Sequence, residues 1–265
     1  MENRKIVFLH ELKFTDRDIE KIGKDTFAFI TTFAFAVDEI SVFSKLLIQS
    51  VGNRPNDEVL LQLYAIQHNA ITRVLSAKVF ETIKLFGKYQ RYLEKHSDGQ
   101  KLEALEDSRK SLEVLTRSPS HKLSKRLRDQ ITNHFDFDAS RENLNGHVSQ
   151  NASKSIFLNK FQGNSFSPLG EEVVFKGGVW RYIKEDTRTE VDAKRLREWT
   201  DWNQQAAGWA IKAFNGFILW ILETEFPEKN LERKAHYLEP ELFGDMKTSK
   251  LPIVFNPIKT RKDSH

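Results

Sequence analysis

The chain has 265 residues, 39% of them hydrophobic and 29% charged, a balance that suits a folded globular protein and excludes a disordered acidic segment. Cysteine is absent, which removes disulfide frameworks and thiolate chemistry, and a reducing cytoplasm fits that composition. The formal charge of +4 is too mild to mark a nucleic-acid binder by itself.

Near the start only Ile6 to Leu9 form an apolar run, far short of a signal-peptide core. No uninterrupted apolar stretch approaches the roughly 18 residues of a membrane span, so no membrane association is expected. From Asp16 to Val51 the recurrence of Ile19, Ile22, Thr26, Phe29/Ile30, Phe33, Val37, Ile40, Ser44, Leu47 and Val51 at steps of three and four predicts one long amphipathic helix. Thr15 or Asp16 would cap it, and Gly52 to Pro55 would end it. A second helix is expected from Asp57 to about His96, along Leu60, Leu63, Ile66, Ala70, Val74 and Ala77 to Phe86 and Leu93. A third, at about Lys101 to Leu115, has Leu102, Leu105, Leu112 and Leu115 on one side.

Ser118-Pro119 opens a fourth helix, with Leu123, Leu127, Ile131 and Phe135 at steps of four. Arg141 to Ser155 reads as a loop rich in Asn and Ser. Val173 to Phe175, Gly177-Gly178 and Val179 to Ile183 have the pattern of a β-hairpin. Val191 to Glu225 is again helical, with Leu196, Trp199, Trp202, Ala206, Trp209, Ala213, Phe217 and Trp220 on one side, and Pro227 closes it. Tryptophans so spaced are expected in a core or a subunit contact rather than on a base-stacking platform. The expected architecture is mainly α: one domain over 1–228, a four- to five-helix bundle with a small β-hairpin insertion at about 171–185, then a C-terminal extension, 229–265, lying extended on the surface.

The charge is local. Between Arg117 and His134 the cations Arg117, Lys122, Lys125, Arg126 and Arg128 face Asp129 alone, so this stretch holds the whole excess. No P-loop, Gly-x-Gly-x-x-Gly, His-Glu-x-x-His or Gly-x-Ser-x-Gly is present, and the eight histidines never fall four apart as helical metal ligands would. No cofactor or metal is expected.

Within the basic helix, Arg128-Asp129-Gln130-Ile131-Thr132-Asn133-His134 resembles the Arg-x(4–6)-His motif of the HEPN superfamily, with Asp129 at the polar position after arginine. Spacing alone is weak, since Arg4–His10, Arg91–His96 and Arg141–His147 also satisfy it; the residue after arginine is Lys5, Tyr92 or Glu142 in those pairs, and only Arg128 passes. The resemblance implies a helical, often homodimeric ribonuclease without metal, of the toxin–antitoxin or abortive-infection type, with RNA as substrate and an antitoxin protein as a possible partner. It assigns the chemistry to Arg128 and His134.

The chemistry suits the residue types. Cleavage of RNA through its own 2′-hydroxyl needs a base, an acid and a cation for the phosphorane. An imidazole fills either proton role near neutrality, and a guanidinium matches phosphate oxygens. Lys122, Lys125 and Arg126 would guide the RNA backbone. Six residues along a regular helix leave two side chains about 120° apart, so Arg128 and His134 need a distorted turn or a second subunit to converge. The alternatives are a non-catalytic helical RNA- or protein-binding module, or an interaction module docking a partner on Trp202 and Trp209.

Overall fold

The structure, a computed structural model, describes residues 7–52, 55–127, 137–146, 154–158, 165–179, 190–231 and 234–238. The fold is mainly α. Strand β1 (Val7–Glu11) leads into α1 (Asp16–Ile22), α2 (Lys24–Gly52), α3 (Glu58–Lys95), α4 (Gly99–Ala104), α5 (Glu106–Arg117), α6 (Pro119–Leu127) and α7 (Phe137–Gly146). Then come α8, which begins at Pro168–Gly170 and continues through a π-helical stretch at Glu171–Lys176, α9 (Glu190–Thr224), α10 (Pro227–Leu231) and strand β2 (Lys234–Leu238).

The expected first helix is two. Gly23 takes φ +91°, a backbone conformation open to glycine, and separates α1 from α2. Thr15 caps α1 reciprocally with Asp18. The Thr15 backbone N–H, followed by the Lys229 ammonium at 2.9 Å, holds the Asp18 carboxyl down at about 2. Lys229 also donates to the Lys13 carbonyl, so α10 is fastened to the segment before α1. Pro227 ends the run of α9 as expected but also starts α10, in keeping with the tolerance of proline in a first turn.

Three long helices carry the core. α2 and α3 run antiparallel: the Phe29 ring stacks on Tyr89 at 3.8 Å, Glu39 pairs with Lys78 at 2.8 Å, and Ser50 Oγ lies 3.1 Å from His68 Nδ1. α9 packs on both, through Phe214 against Phe33, Phe217 against Phe29, and Trp209 edge-on to Phe86. The tryptophans are core residues, as expected: Trp199, Trp202 and Trp209 are all buried. Trp202 Nε1 donates to the Leu115 carbonyl and Trp209 Nε1 to the Ser108 carbonyl, locking α5 along α9. A fourth side is therefore assembled from short pieces, α5, then α6, then α8.

The buried stripe of α3 departs from the hydropathy reading. It runs through Thr72, Leu75, Ser76, Val79 and Phe80, while Leu60 is half exposed and Ala70, Val74 and Ala77 are only partly covered. Two hydroxyl residues sit on the inner face, where a pattern of apolar residues steps past them.

Two further expectations fail. Residues 141–146 of the expected loop belong to α7, where Asn143 is a buried packing residue whose Nδ2 donates to the Val173 carbonyl, while 147–153 lie outside the described residues and 154–155 have no regular structure. The hairpin is replaced, over 171–179, by helix: Val173, Phe175 and Val179 are all buried, Phe175 and Val179 in one cluster with Trp199 of α9. Gly177 there is no turn residue. A Cβ on it would lie 2.9 Å from Asn143 Cβ, so glycine permits the close approach of α7. Residues 180–185 of the expected hairpin lie outside the described residues. We expect Gly177→Ala to lower stability by about 1–2 kcal/mol through overpacking, whereas Gly208→Ala, with nothing within 4 Å, should raise it by up to about 1 kcal/mol by helix propensity. Opposite shifts in urea midpoints would verify this.

The expected surface extension contributes an element of order. β2 pairs antiparallel with β1, from Val7↔Leu238 to Glu11↔Lys234. The residues after 238 lie outside those described.

Among the described helices, α2 from Lys24 to Ser50 is long and apolar enough, by length and composition, to cross a bilayer. Asp38 and Glu39 interrupt its middle, and its inner face, from Phe29 to Leu47, belongs to the core shared with α3 and α9.

Candidate functional site

α6 carries the basic stretch. Lys122 and Lys125 stand exposed on it, while Ser124 is fully buried and Leu123 packs toward Phe175, Val179 and Trp199. The side chain of Arg126 and residues 128–136, with Arg128, Asp129 and His134, lie outside the described residues. Arg128 follows Leu127, the last residue of α6, directly in sequence.

The inner side of α6 meets α3 and α9 at His121. Its ring stacks on Phe80, with centroids 5.6 Å apart and planes at 15°, and tilts against Trp202 at 5.7 Å. The ring also bonds to the backbone of Thr116. Burial holds the imidazole below its usual range, an effect that the Thr116 bond opposes and the Lys125 ammonium reinforces.

Around this histidine the core is polar and incompletely satisfied. Among the described residues, Ser76 Oγ, Ser124 Oγ, Asn203 Oδ1 and Trp199 Nε1 are buried without a hydrogen-bond partner. Ser76 is one turn before Phe80, Ser124 one turn after His121, and Trp199 and Asn203 flank Trp202. Ser44 Oγ, on α2, is likewise unpartnered, and the Glu39–Lys78 and Ser50–His68 contacts place it level with the Thr72 to Ser76 turn of α3. Other buried hydroxyls are paired: Thr72 donates to the His68 carbonyl, Thr82 to the Lys78 carbonyl, and Thr26 accepts from the Tyr89 hydroxyl. Unpaired polar atoms are rare in a native core, and these set the surroundings of His121 apart from the rest of it.

A second polar group lies farther along α3. Glu171 of α8 accepts from Asn69 Nδ2 at 2.8 Å and from Arg73 Nη1 at 2.9 and 3.1 Å. The Arg73 guanidinium also lies over the Phe175 ring at 4.7 Å. These contacts come from a π-helical stretch, a local form of helix found frequently at functional sites. On the other flank of α3, burial also depresses the His68 imidazole.

The two histidines set a pH dependence. Each stays neutral in the fold below the pH at which it protonates in the unfolded chain, so the unfolded state takes up more protons as the medium acidifies through about 6.5. Stability should change little between neutral and mildly alkaline pH and fall as the pH drops below about 6.5, before the low-lying carboxyls of Asp18 and Glu106, both at about 2, begin to matter. Urea titrations at pH 7.5 and 5.5 should show the loss, and His121→Phe should shrink it; an unchanged midpoint in the wild type would refute the assignment.

Lys122 and Lys125 stand on a helix that begins at Pro119 as the spacing predicts, whereas His121, Ser76, Ser124 and Asn203 carry no such signal in the sequence. Single serines and asparagines on a helix carry no signal of burial until their neighbours in space are known. No group of three or more potential metal ligands occurs among the described residues. No protein-family model, curated protein or solved structure matches the chain.

Proposed function

We propose that the chain is a metal-independent endoribonuclease of the HEPN kind, its helices forming a four- to five-helix bundle. The reading has it act as a homodimer in the cytoplasm, in a toxin–antitoxin or phage-defence system. His134 takes the proton of a ribose 2′-hydroxyl, the alkoxide attacks the adjacent phosphorus, and Arg128 neutralises the phosphorane. The 5′-oxygen leaves with a proton from a second acid, His134 of another subunit in a dimer, giving a 2′,3′-cyclic phosphate and a free 5′-hydroxyl. Lys122 and Lys125, with Arg126, hold the flanking phosphates, and Asp129 orients Arg128.

The observation that supports this reading is the exposure of Lys122 and Lys125 on the helix that runs directly, in sequence, into Arg128. The polar surroundings of His121, on the inner side of the same helix, are consistent with a working region there. The burial of Trp199, Trp202 and Trp209, with two indole N–H groups already engaged, removes the support for a tryptophan docking face. The test is incubation of the purified protein with RNA in EDTA: cleavage to cyclic-phosphate ends, absent on a 2′-deoxy strand, is the expected result, and RNA left whole would sink the nuclease while binding without cleavage would leave an RNA-binding module.

A further inference from the structure

Contacts along α5 and α6 set the register of three helices. The carbonyls of Ser108 and Leu115 accept from the indoles of Trp209 and Trp202, Trp209 lies against Phe86, and His121 stacks on Phe80. The chain from 108 to 121 thus runs back along α3 and α9 together, antiparallel to both. One turn past the rings of Phe80, His121 and Trp202 come Ser76, Ser124 and Trp199, with Asn203 on the same side of α9 as Trp199. Packing of Leu123 and Phe175 with Trp199 agrees with that level.

Each of these four residues brings a buried polar atom that has no partner: two hydroxyls, the Asn203 amide oxygen and the Trp199 indole N–H. A hydroxyl on a helix has a ready acceptor in the carbonyl four residues back, which Thr72, Thr82 and Thr200 use and Ser76 and Ser124 do not. Asn203 Nδ2 donates to the Trp199 carbonyl, so its oxygen is the end left over. Ser44 belongs elsewhere: α2 meets α3 on the side of Lys78, and two residues along a helix turn by about 200°, which puts Ser76 on the far side of α3 from α2.

We propose that this layer binds one internal water molecule, which joins α6, the basic helix, to α3 and α9. The donors and acceptors match a single water. It accepts from the Trp199 indole and from one serine, and it donates to Asn203 Oδ1 and to the other serine, within the two to four bonds that buried waters make. A direct bond between the serines would leave the indole and the amide oxygen stranded. An ion is a poorer occupant, since among the described residues no charged side chain is buried to balance it.

The water is measured without RNA, and its presence does not depend on the nuclease reading. In the full chain with isotope-labelled tryptophan, the Trp199 indole proton, assigned with Trp199→Phe, should show a cross-relaxation peak to water of the sign that marks proximity rather than exchange. Magnetic relaxation dispersion of the solvent oxygen counts waters held longer than the protein tumbles. Ser76→Val, whose added methyl takes the water's place, should lower that count by one per chain while the thermal melt stays cooperative. Ser124→Val should do the same, and the double variant should lose that one water and no more, because both hydroxyls hold the same molecule. A wild-type Trp199 indole without the water peak, a folded Ser76→Val protein with an unchanged count, or a double variant that loses two waters would each overturn the proposal. Should valine at either place unfold the chain, the Trp199 peak in the unaltered protein decides alone.

Discussion

His134→Ala is expected to cut RNA cleavage by about 10²- to 10⁴-fold, the usual contribution of one positioned general acid or base. Arg128→Ala should fall in the same range and Arg128→Lys should recover only part, because an ammonium supplies charge without the planar pair of donors. The pattern across salt separates these from Lys122→Ala and Lys125→Ala. A phosphate-holding lysine changes the slope of affinity against salt by about one unit and leaves single-turnover cleavage at saturating RNA nearly intact. Single-turnover rates in EDTA, with products resolved by end chemistry, provide the measurement. Cleavage by His134→Ala at the wild-type rate would remove His134 from the chemistry, and a metal requirement would remove the mechanism.

The largest effect on stability is expected at the join between α3 and α8. Arg73 and Glu171 have side chains only 19% and 9% exposed, and Glu171 is also held by Asn69. Glu171→Leu should destabilise the protein by about 3 kcal/mol, since it strands a guanidinium in a poorly hydrated place and leaves Asn69 without its acceptor. Arg73→Leu combined with Glu171→Leu should lie within about 1 kcal/mol of wild type. The pair is costly to break and cheap to replace, because desolvation offsets most of its Coulomb attraction. Chemical denaturation of the two singles and the double gives the coupling directly; additive losses would mean that the pair acts through packing on Phe175 rather than through charge.

The inner faces of α2 and α9 were legible because they repeat every three or four residues for many turns: Phe29, Phe33, Val37, Ile40 and Leu47 in α2, and Trp202, Ala206, Trp209, Ala213 and Phe217 in α9 are buried as the spacing predicts, whereas in α3 only the later positions Phe86 and Leu93 are. Short elements were not. The valines and paired glycines of 173–179 resemble a hairpin locally, but Gly177 answers to Asn143, thirty-odd residues away, and no local pattern can express that. β1 and β2 escaped notice for a similar reason, each being five residues whose only strand partner among the described residues is the other. In the region of His121, Lys122 and Lys125 on α6 could be read from the local charge, while the motif from Arg128 to His134 lies outside the described residues. The unpaired atoms of Ser76, Ser124, Trp199 and Asn203 could not, because what distinguishes them is a hydrogen bond that is missing in three dimensions.

The pairing of Val7–Glu11 with Lys234–Leu238 also bears on the order of assembly. More than two hundred residues separate the two strands, so zipping them from an unfolded coil means closing the widest loop available for a handful of ladder bonds. Helices grow and dock from near neighbours first, and only their docking brings the strand partners within reach. The ribbon is therefore expected to close late in folding and to open early in unfolding, a latch on a box already packed.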